Sequence, residues 1–491
     1  MTMSLMPPLM FLGLVLFMLI GFPVAFSLAA LGLTAGLAAI ELGYLTPAFF
    51  GNLPLNIFGI LSNDLLLAIP FFTFMGAILE RCGLAEDLLE GTGQLFGSVP
   101  GGLAYAVIIV GAILGAITGT VAASVIAMGL ISLPIMQRYG YDMKLATGVI
   151  AASGTITQLI PPSLVLVVLA DQLGRSVGDM YKGAIGPSIV QTLLFILFIL
   201  AVSVFRPQWV PPLPKEARTL HGWPLIRRVL WGMVPSVVLI FLVLGTIFLG
   251  YATPTEAGAM GAVGAIGLAA MHHRLSWPLV RQSMDSTMRI TAMVVFILIG
   301  SRTFSLVFLA VDGGVWIEHL LSSLPGGVVG FLVVVNLFVF FLAFFLDFFE
   351  IAFIIIPLLA PVAAKMGIDL IWFGVLLCVN MQTSFMHPPF GFALFYLRGI
   401  APKSVKSSDI YLGAIPWVLL QVVMAIIVIV WPGLVTMWLD VEQTVDLDRV
   451  RIEMPEDTSQ SDTERDAQSS DFNGFNAPAS GASSEPAPAS P

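Results

Sequence analysis

Polar oxygens are scarce in the apolar stretches of this chain, and they gather beside two Pro-Pro pairs. Ser153, Thr155 and Thr157 precede Pro161-Pro162, while Asn380, Gln382, Thr383, Ser384 and His387 precede Pro388-Pro389. Proline has no amide donor and disfavours helix in the residue before it. Each pair therefore interrupts its segment and frees carbonyl oxygens that lipid cannot hydrate. Carbonyls with hydroxyls suit a hard cation such as Na⁺, and the amide ends of half-helices suit a carboxylate. Thr118, Thr120, Thr155 and Thr157 supply hydroxyls to the first break, and Asp347, Asn380, Gln382, Thr383 and Ser384 supply oxygens to the second. The bland alternative is a pair of kinked helices whose threonines bond back to their own turns.

Four charged or titratable positions sit within apolar sequence. Asp347 and Glu350 lie three apart in the run 340–356, on one helical face. Insertion scales charge an acid there about 2.5–3.5 kcal/mol. It is either an ion ligand or hairpin gate, or part of a tip that reaches water. Arg302 either faces an anion, bidentate to its carboxylate, or pairs with a neighbouring acid and serves packing. His387 either lends its carbonyl to a cation, titrates, or is a hydrogen-bonded buried imidazole. His272-His273 beside Arg274 reads as interface charge, and Cys82 and Cys378 read as small hydrophobes. No His-Glu-x-x-His, Walker lysine loop or Cys/His cluster is present, which argues against an enzyme. An intramembrane hydrolase built on Asp347 would need a second catalytic Asp motif, and none is visible.

These residues must be positioned by an all-α polytopic membrane protein. The composition is 58% hydrophobic and 10% charged, with a mean hydropathy of +0.97. Pro134, Gly140, Asp142, Pro161 and Pro162 recur 227 residues later as Pro361, Gly367, Asp369, Pro388 and Pro389. Two apolar stretches, 102–137 and 326–364, exceed the ~20 residues of one crossing and carry turn residues near their middles (Thr118-Gly119-Thr120 and Leu346-Asp347). They read as re-entrant hairpins, each followed by a broken helix, 143–171 and 370–397. The expected organisation is a first repeat over 1–205, a cytoplasmic linker over 206–228, a second repeat over 229–439 and an acidic tail over 440–491. Each repeat would hold about five crossings and one hairpin, an odd number of crossings that inverts the second repeat. Basic residues agree: Arg206, Lys215, Arg218, Arg227 and Arg228 mark the linker as cytoplasmic, and only Arg175 and Lys182 fall on the wrong side. Gly258–Gly267 follows a small-x-x-small rhythm of helix packing.

The net charge of −9 says nothing of substrate. Residues 440–491 hold twelve acids and three arginines, a balance of −9, which leaves eighteen of each sign elsewhere. The tail, rich in Ser, Ala and Pro, is expected to be disordered. The first apolar stretch lacks a basic leader and a small-residue cleavage site, so it is expected to remain as a spanning helix.

With those residues in view, the chain resembles the large membrane subunit of tripartite ATP-independent periplasmic (TRAP) transporters, the DctM type. The likeness runs from about Pro8 to Trp438. It is carried by Gly21-Phe-Pro-Val-Ala-Phe26, Ala68-Ile-Pro-Phe-Phe72, Gly115-Ala-Ile-Thr-Gly119, Ala152-Ser-Gly-Thr155 with Ile160-Pro-Pro-Ser163, Thr253-Pro-Thr-Glu256 and Pro388-Pro-Phe-Gly391. It implies an importer of organic anions in a bacterial inner membrane, with Na⁺ as coupling ion and no other cofactor. The implied partners are a small four-helix membrane subunit and a periplasmic substrate-binding protein; the implied motion is an elevator. Carried over, one Na⁺ site falls at Thr118, Thr120, Thr157, Ile160 and Pro162, and its symmetric counterpart at Asp347, Ser384, His387 and Pro389. The substrate is expected against Arg302, Ser153, Thr155, Asn380 and Gln382. Thr157-Gln158 stand where the family often has Gly-Pro, and Ser384 where it has Gly. The second break is similar to members handling monocarboxylates such as lactate or 2-oxo acids. A stand-alone cation–carboxylate symporter and a channel are the rival readings.

Overall fold

The computed structural model describes residues 3–439 apart from Gly21, 219–221 and Phe390. The expected tail, 440–491, lies outside the described residues. Among those described, every regular element is a helix, and seven helices are long and apolar enough to cross a bilayer, or up to nine if two bent pairs each count as one span.

In chain order the main helices are α1 (Met6–Ile20), α2 (Val24–Glu41), α3 (Asn52–Leu61), α4 (Asp64–Arg81), α5 (Leu84–Leu95), α6 (Gly102–Thr118), α7 (Val121–Arg138), α8 (Met143–Thr155), α9 (Leu164–Leu173) and α10 (Val177–Phe205). Beyond the linker come α11 (Trp223–Phe248), α12 (Pro254–Met271), α13 (Trp277–Ala310), α14 (Gly313–Ser322), α15 (Gly327–Leu342), α16 (Phe348–Lys365), α17 (Leu370–Met381), α18 (Phe392–Ile400) and α19 (Ser407–Val430).

The recurring residues are helix punctuation. Asp142 caps α8, accepting from the Lys144 and Leu145 amides, and Asp369 caps α17, accepting from the Trp372 amide. Gly140 and Gly367 adopt φ of +80° and +72° just before them, a left-handed conformation that a side chain would strain. The starts of α7 and α16, and of α8 and α17, are each 227 residues apart. Both Pro-Pro bonds are cis.

Polar residues, more than hydropathy, set helix boundaries in three places. The stretch 57–80 is two helices bent by 46°, because the Asn63 side chain accepts from the Leu65 amide and starts α4 afresh. α13 begins at Trp277, more than a dozen residues before its most apolar part. Arg281, Asp285 and Arg289 lower its hydropathy without opposing helix, and Ser276 caps it. The polar stretch after Gly83 forms α5, which buries Leu88 and Leu89 and leaves Glu90 outside to meet Arg228 at 2.7 Å.

Without a hydrophobic drive between helices in lipid, close contact of small residues holds the bundle. A Cβ on Gly32 would sit 2.8 Å from the Thr303 carbonyl, and one on Gly300 would sit 2.4 Å from that of Ala25, so α2 lies flush on α13. Gly258 and Gly261 do the same for α12 on α4, against Phe71 and Met75. On α8 and α19 the contact is reciprocal: Gly148 would strike the Gly413 carbonyl at 2.3 Å, and Gly413 that of Lys144 at 2.1 Å. Gly413→Val should therefore cost about 3 kcal/mol, at the upper end of overpacking penalties. The check is the thermal midpoint of the purified protein, which should fall by several degrees while Gly399→Val, in open space, leaves it unchanged.

Candidate ion and substrate site

α8 ends at Thr155, tightens into a 3₁₀ turn over Ile156–Gln158, crosses Pro161-Pro162, and resumes as α9 under a Ser163 cap. The hydroxyls nearest the break bond backwards. Ser153 Oγ donates to the Val149 carbonyl at 2.6 Å, Thr155 Oγ1 to Ala152 at 2.9 Å and Thr157 Oγ1 to Gly154 at 2.9 Å. Their lone pairs remain, but as side-group acceptors on a helix already formed. The carbonyls divide into two sets. Gln158 O accepts from Ser163 Oγ and from Cys378 Sγ of α17 (3.4 Å), and Leu159 O accepts from Ser188 Oγ of α10 at 3.0 Å. Ile160 and Pro162 carbonyls carry no hydrogen bond among the described residues.

The first hairpin closes over this break. Gly111 lies against Ser153 and Gly115 against Thr157, where an added Cβ would approach within 2.7 Å and 2.9 Å. From the returning limb, Val125 fills the space over Gly154. The turn between α6 and α7 is Gly119, at φ +61°, followed by the half-buried Thr120. The Thr118 side chain lies outside what the structure describes.

The second break repeats the plan with different side chains. α17 ends at Met381, a 3₁₀ turn spans Gln382–Phe385, and Pro388-Pro389 leads to α18. The second hairpin reaches it through aromatic rings. The His387 imidazole stacks on Phe344 at 4.1 Å and meets Phe340 edge-on at 4.3 Å. Phe385 lies 6.4 Å from Phe348 at the start of α16. Asp347 and Glu350 form a capping box at that start. Glu350 N donates to Asp347 Oδ1 at 2.9 Å, and Asp347 N donates to Glu350 Oε2 at 3.0 Å. Both acids are half-buried. One oxygen of each is thus committed to the backbone, which leaves one oxygen of each for other partners. Just beyond, Ile351–Ile355 is a π-turn whose Phe353 carbonyl accepts from Ser301 Oγ of α13. Single π-turns recur where a helix serves a site.

The two breaks belong to one polar interior, because Cys378 touches the first from the helix that runs into the second. What distinguishes this interior is its unsatisfied amides. Both amide atoms of Gln158 and of Gln382 are buried with no hydrogen-bond partner, as is Ser384 Oγ. Each such group costs about 1–3 kcal/mol unless something polar meets it. Both ring nitrogens of His387 are buried without a well-formed hydrogen bond, and the imidazole lies near the Ala343 backbone. Gln421 of α19 donates to Thr155 Oγ1 at 2.9 Å and leaves its own Oε1 unmet. Gln191 of α10 is buried and unmet at both ends. Asn380 is satisfied elsewhere, donating to Asn336 O and Oδ1 at 2.8 and 3.0 Å.

Of the residues expected from the sequence, Ser153, Thr155, Thr157, Ile160 and Pro162 gather at the first break, and Ser384 and His387 at the second with the Asp347 cap beside the hairpin aromatics. Pro389 is exposed. Arg302 is placed elsewhere: it lines a cavity with Asn56, Asn63 and Asp171. Gln191 and Gln421 were not anticipated. Gln421 is the one amide in the apolar body of α19, and Gln191 sits beside Ser188 and Thr192 in α10; polar side chains buried within spanning helices are a pointer to function. Among the described residues, no group of three His, Cys, Asp or Glu could hold a metal ion. Any cation here would rest on carbonyls and hydroxyls, and the bare Ile160 and Pro162 oxygens fit a hard one.

A family model described as "Tripartite ATP-independent periplasmic transporter, DctM component" matches residues 11–434. The C4-dicarboxylate TRAP transporter large permease protein DctM of Pseudomonas aeruginosa is 30% identical over 406 residues, 82% of this chain and 92% of that one. The 2,3-diketo-L-gulonate TRAP transporter large permease protein YiaN of Escherichia coli is 25% identical over 75% of this chain and 85% of its own. The isethionate TRAP transporter permease protein DctMQ of Oleidesulfovibrio alaskensis is 26% identical, covering 81% of this chain and 61% of its own. In fold the chain is similar to the Alcanivorax borkumensis YdaH transporter, with a TM-score of 0.53 at 18% identity over 80% of this chain and 89% of that one.

Proposed function

The chain belongs to the DctM family of tripartite ATP-independent periplasmic transporters, and from that premise we propose that it imports an organic monocarboxylate by sodium symport, as the large permease beside a small membrane subunit and a periplasmic binding protein. Family membership makes it a multi-span secondary-transport component of a bacterial inner membrane rather than an enzyme. The fusion named DctMQ is a relative whose name joins two components in one permease, and it supports the partner reading.

The observation that carries the mechanism is the bare pair of carbonyls, Ile160 and Pro162, under a hairpin tip packed on the same break. Sodium would sit on these oxygens with Thr157 and the Thr120 turn. Its counterpart would use the second break near Ser384, His387 and Asp347. Ion binding there ties each hairpin tip to its break. The unmet amides of Gln158 and Gln382 then face a carboxylate with donors and acceptors already fixed. The 227-residue offset shared by the element starts supports a repeat, which an odd number of crossings per half would invert; joint movement of the two breaks and hairpins against α2, α4, α12 and α13 would be the elevator step. Relatives are named for a C4-dicarboxylate, a diketo-sugar acid and isethionate, so the family handles anions of more than one charge. The monocarboxylate assignment rests on the variant second break.

Uptake into proteoliposomes holding the permease, its small subunit and the loaded binding protein should rise at least about tenfold when an inward Na⁺ gradient replaces a K⁺ gradient. Uptake that ignores the gradient removes sodium from the scheme. Uptake that proceeds without binding protein favours a stand-alone symporter.

A further inference from the structure

The cavity at Arg302 lies apart from the breaks. It holds about 430 Å³ and is lined by α3, the start of α4, the end of α9 and α13. Arg302 is exposed to it and makes no hydrogen bond or ion pair among the described residues. Its position is eight residues before the end of α13 at Ala310, about 12 Å along the axis. On the basic-residue count, that end of α13 faces the periplasm. The start of α4 is at the same end, because Thr255 Oγ1, in the first turn of α12 where that helix leaves the outer side, donates to the Asp64 carbonyl at 2.7 Å. An unpaired guanidinium in a water-reachable cavity, with five donors open, is a strong carboxylate site.

Its surroundings define what else the ligand carries. Asp171 shares the cavity yet does not pair with Arg302. Its two oxygens instead accept from Asn63 Nδ2 at 2.6 Å and Gln172 Nε2 at 2.7 Å. Amide bonds leave the charge in place, so a second carboxylate would meet like charge at the far side. Asn56 donates to Asn52 O at 2.9 Å and keeps its own carbonyl oxygen open. The open acceptors are therefore Asn56 Oδ1 and the remaining lone pairs of Asp171, and they call for a donor such as a hydroxyl. Asn63 Oδ1 is taken by the Leu65 amide.

We propose that this cavity is an outer receiving site for a hydroxy monocarboxylate: the carboxylate on Arg302, the hydroxyl donating to Asn56 and Asp171, and dianions turned away by Asp171. It deepens the monocarboxylate reading above, and it adds a site where the anion rests before reaching the breaks. Because Asp171 lies in the last turn of α9, the helix that leaves the first break, the site also spans the boundary between that broken helix and the helices around it.

The test uses the full-length chain in nanodiscs, in potassium salts without sodium, so that failure here and failure of sodium coupling are told apart. Phenylglyoxal modification of Arg302 is followed by peptide mass spectrometry, with Arg281 as internal reference. L-lactate should slow labelling of Arg302 at least about fivefold relative to KCl of equal ionic strength, and succinate should protect less. In Asp171→Asn, succinate should protect as well as lactate does. No protection by lactate, protection by succinate as strong as by lactate in the natural chain, or an Asp171→Asn variant that still discriminates overturns the proposal.

Discussion

Replacing Pro161 and Pro162 together by alanine should lower gradient-driven uptake at least about a hundredfold, a loss of about 2.7 kcal/mol in the driven step. Alanine restores two amide donors and removes the ring that blocks a continuing helix. The amide at 161 can then reach the Thr157 carbonyl, and the turn that follows engages Ile160 with the amide of Leu164 and Pro162 with that of Leu166. The two oxygens left bare in the natural chain would be spent on the backbone. The substitution is mild for stability, because alanine is smaller than proline and a better helix former. The measurement is uptake in proteoliposomes alongside circular dichroism and a thermal midpoint. Helicity that is kept or slightly raised, with lost uptake, supports the carbonyl site. Retained uptake would show that bare main-chain oxygens at the first break are not where the ion sits.

The framework was legible because its determinants are local. Asp142 and Asp369 recur because each starts a helix, and Gly140 and Gly367 because each ends a turn in a left-handed conformation. The Pro-Pro breaks announce themselves by chemistry alone. Other features were hidden for physical reasons. α5 and α14 are short, and a hydropathy window averages their polar faces away. The π-turn at Ile351–Ile355 has no residue that marks it, since it arises where the Phe353 carbonyl meets Ser301 of another helix. The role of Asp347 was open between an ion site and a wetted tip. The capping box shows a third use, helix initiation, which employs one oxygen and leaves the other. Arg302 and Asp171 are 131 residues apart, and no pattern in the chain predicts that they share a cavity without pairing. Gln191 and Gln421 could have been flagged as amides within spanning helices, but not the direction in which they point.

Leucine in place of Gln158 and of Gln382 should produce a protein that is more stable and transports poorly. Leucine nearly matches glutamine in size, so neither change opens a large cavity or forces the neighbours apart. What changes is polarity. Each amide is buried, at 2% and 0% exposure, with neither end hydrogen-bonded. Removing such a group recovers about 1–3 kcal/mol per site, and the two should add unless they share a ligand. The thermal midpoint of the substrate-free double variant should therefore rise by several degrees, against the usual trend for core substitutions. Uptake should fall by at least about a hundredfold, since a site built to bond a polar substrate loses two contacts at once. The two readouts together separate the explanations. A midpoint that falls means the amides are satisfied in the folded protein and hold it together. A midpoint that rises with uptake intact means the orphaned amides serve no ligand. Only higher stability with lost transport fits amides kept unpaired for a substrate, the trade of folding free energy for a preorganised site that functional positions commonly show.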